Sequence, residues 1–296
     1  MLIGRDQELA AIEEVVAAAA AGASETLVLV GDPGIGKSAL LAEARRRAAE
    51  SGLAVIRAHG VEAERDLAFG GLMELVGALV DVRARLPEVQ RSALATALAQ
   101  AAGSPPDPFA VASALLGTIS LLADEGGVLV AVDDAQWLDG QSLDAILFAA
   151  RRLSHQGVAF VLAARPTPDL EPRGGRVRRL ELDGLDGDAA AALLDASSSG
   201  PLAGEPRRRL LEVAAGNPLA LIEAPRSLTA GQAAGAEPMP ETIRPGAAIE
   251  RSFRDRIDEL DADARAALVV AAAAEEIDLA TCTRALADRG LSLIHI

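Results

Sequence analysis

The sequence nearly lacks several residue types, and each scarcity excludes a class of protein. Among 296 residues there are one cysteine, one tryptophan and no tyrosine, and aromatic residues make up 2%. A single cysteine excludes an internal disulfide framework and any zinc site built from several cysteines. Hydrophobic residues nevertheless make up 50% of the chain. Since aromatic residues are so few, most of these hydrophobic residues are alanine, leucine and valine. That composition favours helices and buried parallel strands over an aromatic-rich β-sandwich.

The chain also lacks a basic surplus and a long apolar run. Its 28 basic and 43 acidic residues give a formal net charge of −15 at pH 7, which disfavours DNA binding by this stretch alone. The first residues have neither the basic start nor the apolar core of a signal peptide. Apolar runs such as residues 266–274 are too short to span a membrane. We therefore expect a cytoplasmic protein without membrane contact.

Lysine is almost absent, and the one that remains lies in a recognisable motif. Of the 28 basic residues 27 are arginine, and the single lysine is Lys37. It belongs to the P-loop, residues 31–38, which reads G-x-x-x-x-G-K-S between a predicted strand and a predicted helix. Gly34 and Gly36 let backbone N–H groups turn toward a phosphate at the helix N-terminus.

We expect Lys37 to act on the β- and γ-phosphates in catalysis and the Ser38 hydroxyl to ligate Mg²⁺. The predicted nucleotide-binding residues of this segment are Gly31, Asp32, Pro33, Gly34, Ile35, Gly36, Lys37 and Ser38.

Two adjacent acids follow another apolar segment, residues 128–132. Because ligands bind at the carboxyl edge of a parallel sheet, we expect Asp133 to hold the metal through water. Asp134 would orient or deprotonate an attacking water. The alternative is a solvated turn, which the strand context downstream of a P-loop disfavours.

Arg165 comes directly after a further apolar run, residues 158–164. An arginine at a strand end beside the P-loop strand could reach the γ-phosphate and distinguish ATP from ADP. The alternative is a surface arginine before the turn at Pro166.

Strand and helix signals alternate along the first part of the chain. Predicted strands at 26–30, 53–58, 128–132, 158–164 and 177–182 are separated by helical stretches. This pattern predicts an α/β fold with a doubly wound parallel sheet. After residue 185 the strand signals stop and short helices follow. Residues 224–245 are rich in alanine, glycine and proline, as in linkers.

The last six residues, 291–296, break with the composition of the rest. Their back-translation matches the end of a common sequencing adapter, so we expect this tail to be foreign and the chain to be a fragment. A natural C-terminal strand is the alternative.

Several motifs occur together and in order: LIGRDQEL, the P-loop, VDDAQWLD, LAARP and GNPLAL. With them the chain resembles the nucleotide-binding module of the STAND ATPases, relatives of the AAA+ class, from residue 2 to about residue 289. Within that class it is most similar to the large ATP-binding regulators of the LuxR type. The resemblance implies ATP or ADP with Mg²⁺ as ligands and makes Asp133 and Asp134 the Walker B pair. It also implies that Arg5 lies near the base and ribose, that Arg165 is a sensor and that Pro218 packs on adenine.

The same resemblance implies a domain organisation. We expect a P-loop nucleotide-binding domain at 1–184, a small helical subdomain at 185–224, a linker at 225–245 and the start of a winged-helix region at 246–290. The implied function is a slowly hydrolysing ATP switch in a transcriptional regulator. DNA contact would come only from a C-terminal domain outside this sequence, and self-association is compatible with the class. Two alternatives stay open: a nucleotide-sensing scaffold that never hydrolyses ATP, and a ring-forming AAA+ ATPase.

Overall fold

The computed structural model describes residues 2–100, 106–166 and 177–240, together with positions 257, 264–266 and 268. The predicted winged-helix start and the tail at 291–296 therefore lie outside the described residues, apart from those isolated positions.

A five-stranded parallel sheet forms the centre of the molecule. Its strands follow the order β2-β3-β4-β1-β5, and every neighbouring pair is parallel. The sequence prediction of a parallel α/β sheet is thereby confirmed. The strands are β1 (Glu25–Gly31), β2 (Ala54–His59), β3 (Val128–Asp133), β4 (Val158–Ala164) and β5 (Val177–Leu182).

Helices cover both faces of this sheet and continue after it. None of the described helices is long and apolar enough to cross a lipid bilayer. The helices are α1 (Asp6–Ala20), α2 (Lys37–Glu50), α3 (Gly70–Val76), α4 (Val80–Ala84), α5 (Glu88–Ala97), α6 (Pro108–Ala123), α7 (Gly140–Arg152), α8 (Gly187–Ser197), α9 (Gly204–Ala214), α10 (Pro218–Glu223) and α11 (Ala230–Ala233).

Burial on both faces explains why the central strands are continuous apolar runs. All seven residues of β4 are buried, because alternate side chains enter two separate cores. Phe160 and Leu162 pack with α3, α6 and α7 on one face. Ala159 and Val161 pack with α1 and α2 on the other. The strand order also places β1, which leads into the P-loop, directly beside β4, and β4 beside β3.

The helices after β5 pack around an apolar cluster of their own. Leu194, Leu210 and Leu221 are fully buried in this cluster. The predicted linker is residues 225–245, of which 241–245 lie outside the described residues. Residues 225–240 fold against the same helices. Met239 packs on the cluster, and the Ala203 N–H donates to the Ala233 carbonyl over 2.9 Å.

Candidate functional site

The P-loop has the backbone geometry that its glycines predict. Gly34 and Gly36 have φ angles of +77° and +106°, a region that residues with a side chain rarely adopt. Gly36 is the N-cap of α2, so the loop delivers its backbone to the N-terminus of that helix. A free helix N-terminus carries unsatisfied N–H groups and a partial positive charge, which together attract phosphate.

Lys37 lies folded against the loop that carries it. Its ammonium Nζ donates to the carbonyls of Gly31 and Asp32 over 2.8 and 2.9 Å, and the residue is only 7% exposed. Burial lowers the pKa of Lys37; Asp134 opposes this shift and Arg165 reinforces it. Lys37 is therefore close enough to Asp134 and Arg165 for their charges to affect its pKa.

Ser38 and Asp133 form a pair at the start of α2 and the end of β3. The Ser38 hydroxyl donates to Asp133 Oδ1 over 3.2 Å. A hydroxyl and a carboxylate are oxygen donors of the kind that Mg²⁺ accepts, with phosphates and water as its further ligands. Among the described residues no group of three or more His, Cys, Asp or Glu could hold a metal by itself. The pair thus supplies two oxygen donors of the kind that suits Mg²⁺.

Asp134 follows β3 in a left-handed backbone conformation, with φ of +45°. Its N–H donates to Asp133 Oδ1 over 3.0 Å, and its own Oδ1 accepts a 2.9 Å hydrogen bond from Gln136 Nε2. The Arg165 N–H donates to Gln136 Oε1 over 3.0 Å. The Arg165 guanidinium carbon lies 5.6 Å from the centroid of the Trp137 ring. Sequence reasoning singled out Asp134 and Arg165 but not Gln136, which joins them.

Lys37, Ser38, Asp134 and Arg165 line one cavity of about 500 Å³, a size usual for small-molecule sites. Of the predicted site residues, the cavity is lined by Arg5, Pro33, Gly34, Ile35, Gly36, Lys37, Ser38, Asp134, Arg165 and Pro218. Gly31, Asp32 and Asp133 are outside this lining, and they contact it through Lys37 and Ser38. Sequence reasoning missed a further set of apolar lining residues, which are Leu2, Ile3, Leu185, Leu193, Leu219 and Ile222.

Arg5 lines the cavity and is held there by protein groups. It is 5% exposed, and its guanidinium donates to the Glu8 carboxylate and to the carbonyls of Ile35 and Asp183, over 2.7, 2.9 and 2.8 Å. The side chain thus ties α1 and the P-loop to the end of β5. A contact with base and ribose stays a prediction.

The N-terminus of α10 is attached directly to the P-loop. Asn217 Nδ2 donates to the Pro33 carbonyl over 3.0 Å, while Oδ1 caps α10 by accepting from the N–H groups of Leu219 and Ala220. The Leu219 N–H also donates to the Gly34 carbonyl over 3.1 Å. An asparagine before a proline signals such a cap, but the sequence alone does not show the bond to the P-loop.

Comparisons with known proteins address the sequence and the fold separately. Residues 1–161 match the AAA ATPase domain family. An uncharacterised protein of Rhizobium meliloti (strain 1021) is 31% identical in an alignment of 221 residues, and the match covers 63% of this chain and 21% of that protein. The chain thus spans about a fifth of the length of this curated relative.

Among solved structures, the ORC1 protein of Aeropyrum pernix in complex with DNA superposes with a TM-score of 0.52 at 19% identity, over 93% of this chain and 73% of that one. A STAND protein with a tetratricopeptide repeat sensor from Pyrococcus horikoshii gives a TM-score of 0.49 at 16% identity, over 95% of this chain and 36% of that one. At 19% identity, the similarity to the ORC1 protein shows a shared fold and no more. The family match covers more than half of the 296 residues, and the chain therefore belongs to the AAA ATPase domain family.

Proposed function

We propose that this chain is an ATP-binding regulatory switch module that hydrolyses ATP slowly. One observation carries the proposal: Lys37, Ser38, Asp134 and Arg165 line the same cavity as a group of apolar side chains from the N-terminus and the segment after β5. A nucleotide needs both kinds of partner, because it combines anionic phosphates with a flat base.

Lys37 would change partners when phosphate enters. In the structure its ammonium is held by two backbone carbonyls, and phosphate oxygens would replace one or both of them. Ser38 and Asp133 would hold Mg²⁺, Asp133 through a water molecule. The ion, when bound, neutralises charge on the phosphate oxygens.

Asp134 and Arg165 would act on the γ-phosphate and its attacking water. The Asp134 carboxylate would orient that water and accept its proton. The Arg165 guanidinium, held near the Trp137 ring in the structure, would contact the γ-phosphate and so respond to ATP but not to ADP.

The base end of the nucleotide would contact the helices that follow the sheet. Pro218 and Leu219 of α10 line the apolar part of the cavity, so we assign adenine to this surface. ATP would then bind the P-loop and α10 at once and favour one arrangement of the helical part over others.

We further propose that the module serves a transcriptional regulator of the LuxR type. The support is the combination of VDDAQWLD and GNPLAL in one chain, together with the curated relative, in which the matched part is a fifth of the length. In such a protein, output to DNA would come from other domains.

Single-turnover ATP hydrolysis tests the central step, with wild type and Asp134→Asn compared under identical conditions. We expect slow turnover in wild type and a rate lower by roughly 10²–10⁴ in the variant, the contribution of a positioned general base. ATP affinity should stay within a few-fold. Equal rates would contradict the role of Asp134. No turnover in either protein would favour the non-hydrolysing scaffold, and fast turnover that rises with protein concentration would favour a ring-forming ATPase.

A further inference from the structure

Gln136 connects the two groups to which we assign hydrolysis and γ-phosphate sensing. Its Nε2 donates to Asp134 Oδ1 over 2.9 Å, and its Oε1 accepts from the Arg165 N–H over 3.0 Å. Both ends of one planar amide are therefore used. The reversed amide would place its oxygen against a carboxylate and its NH₂ against another N–H, so the surroundings fix its orientation.

The local backbone aims this amide at Asp134. Gln136 lies in a short 3-10 turn, Ala135–Trp137, that begins directly after Asp134. The turn is closed by a 2.8 Å hydrogen bond from the Trp137 N–H to the Asp134 carbonyl, and Ala135 anchors it as a fully buried residue. Since β3 and β4 are neighbours in the sheet, the amide spans from the end of one strand to the end of the other.

We propose that Gln136 is a positioning residue for ATP hydrolysis, an inference that rests on the proposed function. The amide holds Oδ1 of Asp134 and thereby presents Oδ2 to the attacking water. Because its other end holds the backbone of Arg165, the orientation of the Asp134 carboxylate depends on where the sensor arginine lies. Gln136 would thus transmit the presence of a γ-phosphate from Arg165 to the general base.

A glutamine that merely tied two turns together would have different consequences. Its removal would lower stability or ATP affinity, and its effect would not depend on Asp134. A positioning residue affects the rate of the chemical step and acts only through the carboxylate that it orients.

Two substitutions distinguish the contributions of the two hydrogen bonds made by the Gln136 amide. Gln136→Leu has a similar volume and removes both hydrogen bonds, whereas Gln136→Glu keeps an acceptor for the Arg165 N–H and puts a second carboxylate against Asp134. Gln156→Leu, at an exposed glutamine in the loop before β4, is the matched control. We expect single-turnover rates at least about tenfold lower for both Gln136 variants, the loss typical when an orienting partner is removed. The Kd for ATP and the thermal midpoint should stay close to those of wild type and of Gln156→Leu.

A double-mutant cycle with Asp134→Asn gives the decisive result. Once the carboxylate is gone, Gln136→Leu should slow hydrolysis by less than about twofold, because it has nothing left to orient. Equal losses in both backgrounds, a loss of ATP affinity instead of rate, or wild-type rates in the Gln136 variants would each overturn the inference while leaving ATP hydrolysis intact. Absence of turnover in wild type would overturn the hydrolytic part of the proposed function and this inference together.

Discussion

At Gly34 both the backbone angle and the neighbouring atoms require a glycine. Its φ is +77°, and a Cβ placed there would lie 2.8 Å from Asn217 Oδ1 and 2.9 Å from Leu219 Cβ. Gly52 has a nearly identical φ of +78° with nothing within 4 Å of the same position. The two glycines therefore differ in contact with α10 and not in backbone strain.

We predict that Gly34→Ala lowers the free energy of unfolding by about 1–3 kcal/mol more than Gly52→Ala, the usual cost of overpacking. Denaturant titration of both variants measures the difference. If the two substitutions cost the same, the close approach of α10 to the P-loop is wrong.

Sequence reasoning located the local part of the site and missed the tertiary part. The P-loop residues, Asp133 and Asp134 could be assigned because the motif and the strand end fix their positions within a few residues. The partners of Arg5 could not, because the Ile35 and Asp183 carbonyls come from distant parts of the chain and any backbone carbonyl looks alike in sequence. The same reason hides the bond from Gln136 to the backbone of Arg165.

At the scale of elements, α10 is held to the P-loop by its cap residue. Asn217 does two things at once: Oδ1 caps the helix and Nδ2 binds the Pro33 carbonyl. Serine is also a good N-cap, but it is too short to bind Pro33 as well. Asn217→Ser therefore removes the docking bond while keeping the cap. Asp186→Ser, at the cap of α8, is the matched control, since Asp186 caps through Ala189 N–H.

We predict faster amide hydrogen exchange in α10 and in the P-loop for Asn217→Ser, and no change in these two segments for Asp186→Ser. Amide hydrogen exchange of the two nucleotide-free variants, monitored by mass spectrometry, tests this prediction. Unchanged exchange in Asn217→Ser would mean that the docking bond contributes nothing to the position of α10.

Helix α2 carries an ion-pair network on its outer side. Glu43 accepts hydrogen bonds from Arg46 and Arg47, and Arg47 also reaches Glu13 of α1. The side-chain hydrogen bond from Arg46, followed by that from Arg47, lowers the pKa of Glu43 from 4.5 to about 2. A carboxylate with a depressed pKa in the folded state stabilises the protein above its ordinary pKa and loses that contribution as pH falls through the lowered one.

Glu43→Gln should therefore cost a constant amount of stability above pH 4.5, and the difference from wild type should shrink below that pH. Because Arg46, the first partner of Glu43, is exposed to solvent, the loss at neutral pH should be under about 1 kcal/mol. Unfolding by denaturant at a series of pH values tests this. If the difference in stability between wild type and Glu43→Gln grew toward acid pH, the pKa of Glu43 would not be lowered by folding.

The elements themselves were predictable to different degrees. Strand β4 has the predicted bounds because a parallel strand buried on both faces is an uninterrupted apolar run. The edge strand β5 also has the predicted bounds, although half of its residues are exposed. Helix α2 begins at the P-loop lysine, where the motif predicts the start of a helix. The packing of residues 225–240 was not predictable from their alanine, glycine and proline content. It rests on a capping box at Thr229 and on single apolar contacts such as Met239.

For the whole molecule, charge sets what the chain can bind by itself. At a net charge of −15, we predict no measurable binding of duplex DNA at physiological salt, since the counterion release that drives such binding needs a basic surface. Fluorescence anisotropy of a labelled duplex at two salt concentrations tests this. Submicromolar, salt-dependent binding would place a DNA-binding function within this chain.

The proposed switch depends on one event, the capture of ATP·Mg²⁺ by the P-loop. Calorimetric titration of wild type, Lys37→Ala and Lys37→Arg measures it most directly, because Lys37 is the single lysine of the chain. We predict one ATP bound per wild-type chain and no tight binding by Lys37→Ala. Lys37→Arg should bind more weakly than wild type, since a planar guanidinium replaces a compact ammonium poorly in a tight loop. Wild-type affinity in both variants, or no binding by wild type, would contradict the assignment of this cavity to ATP.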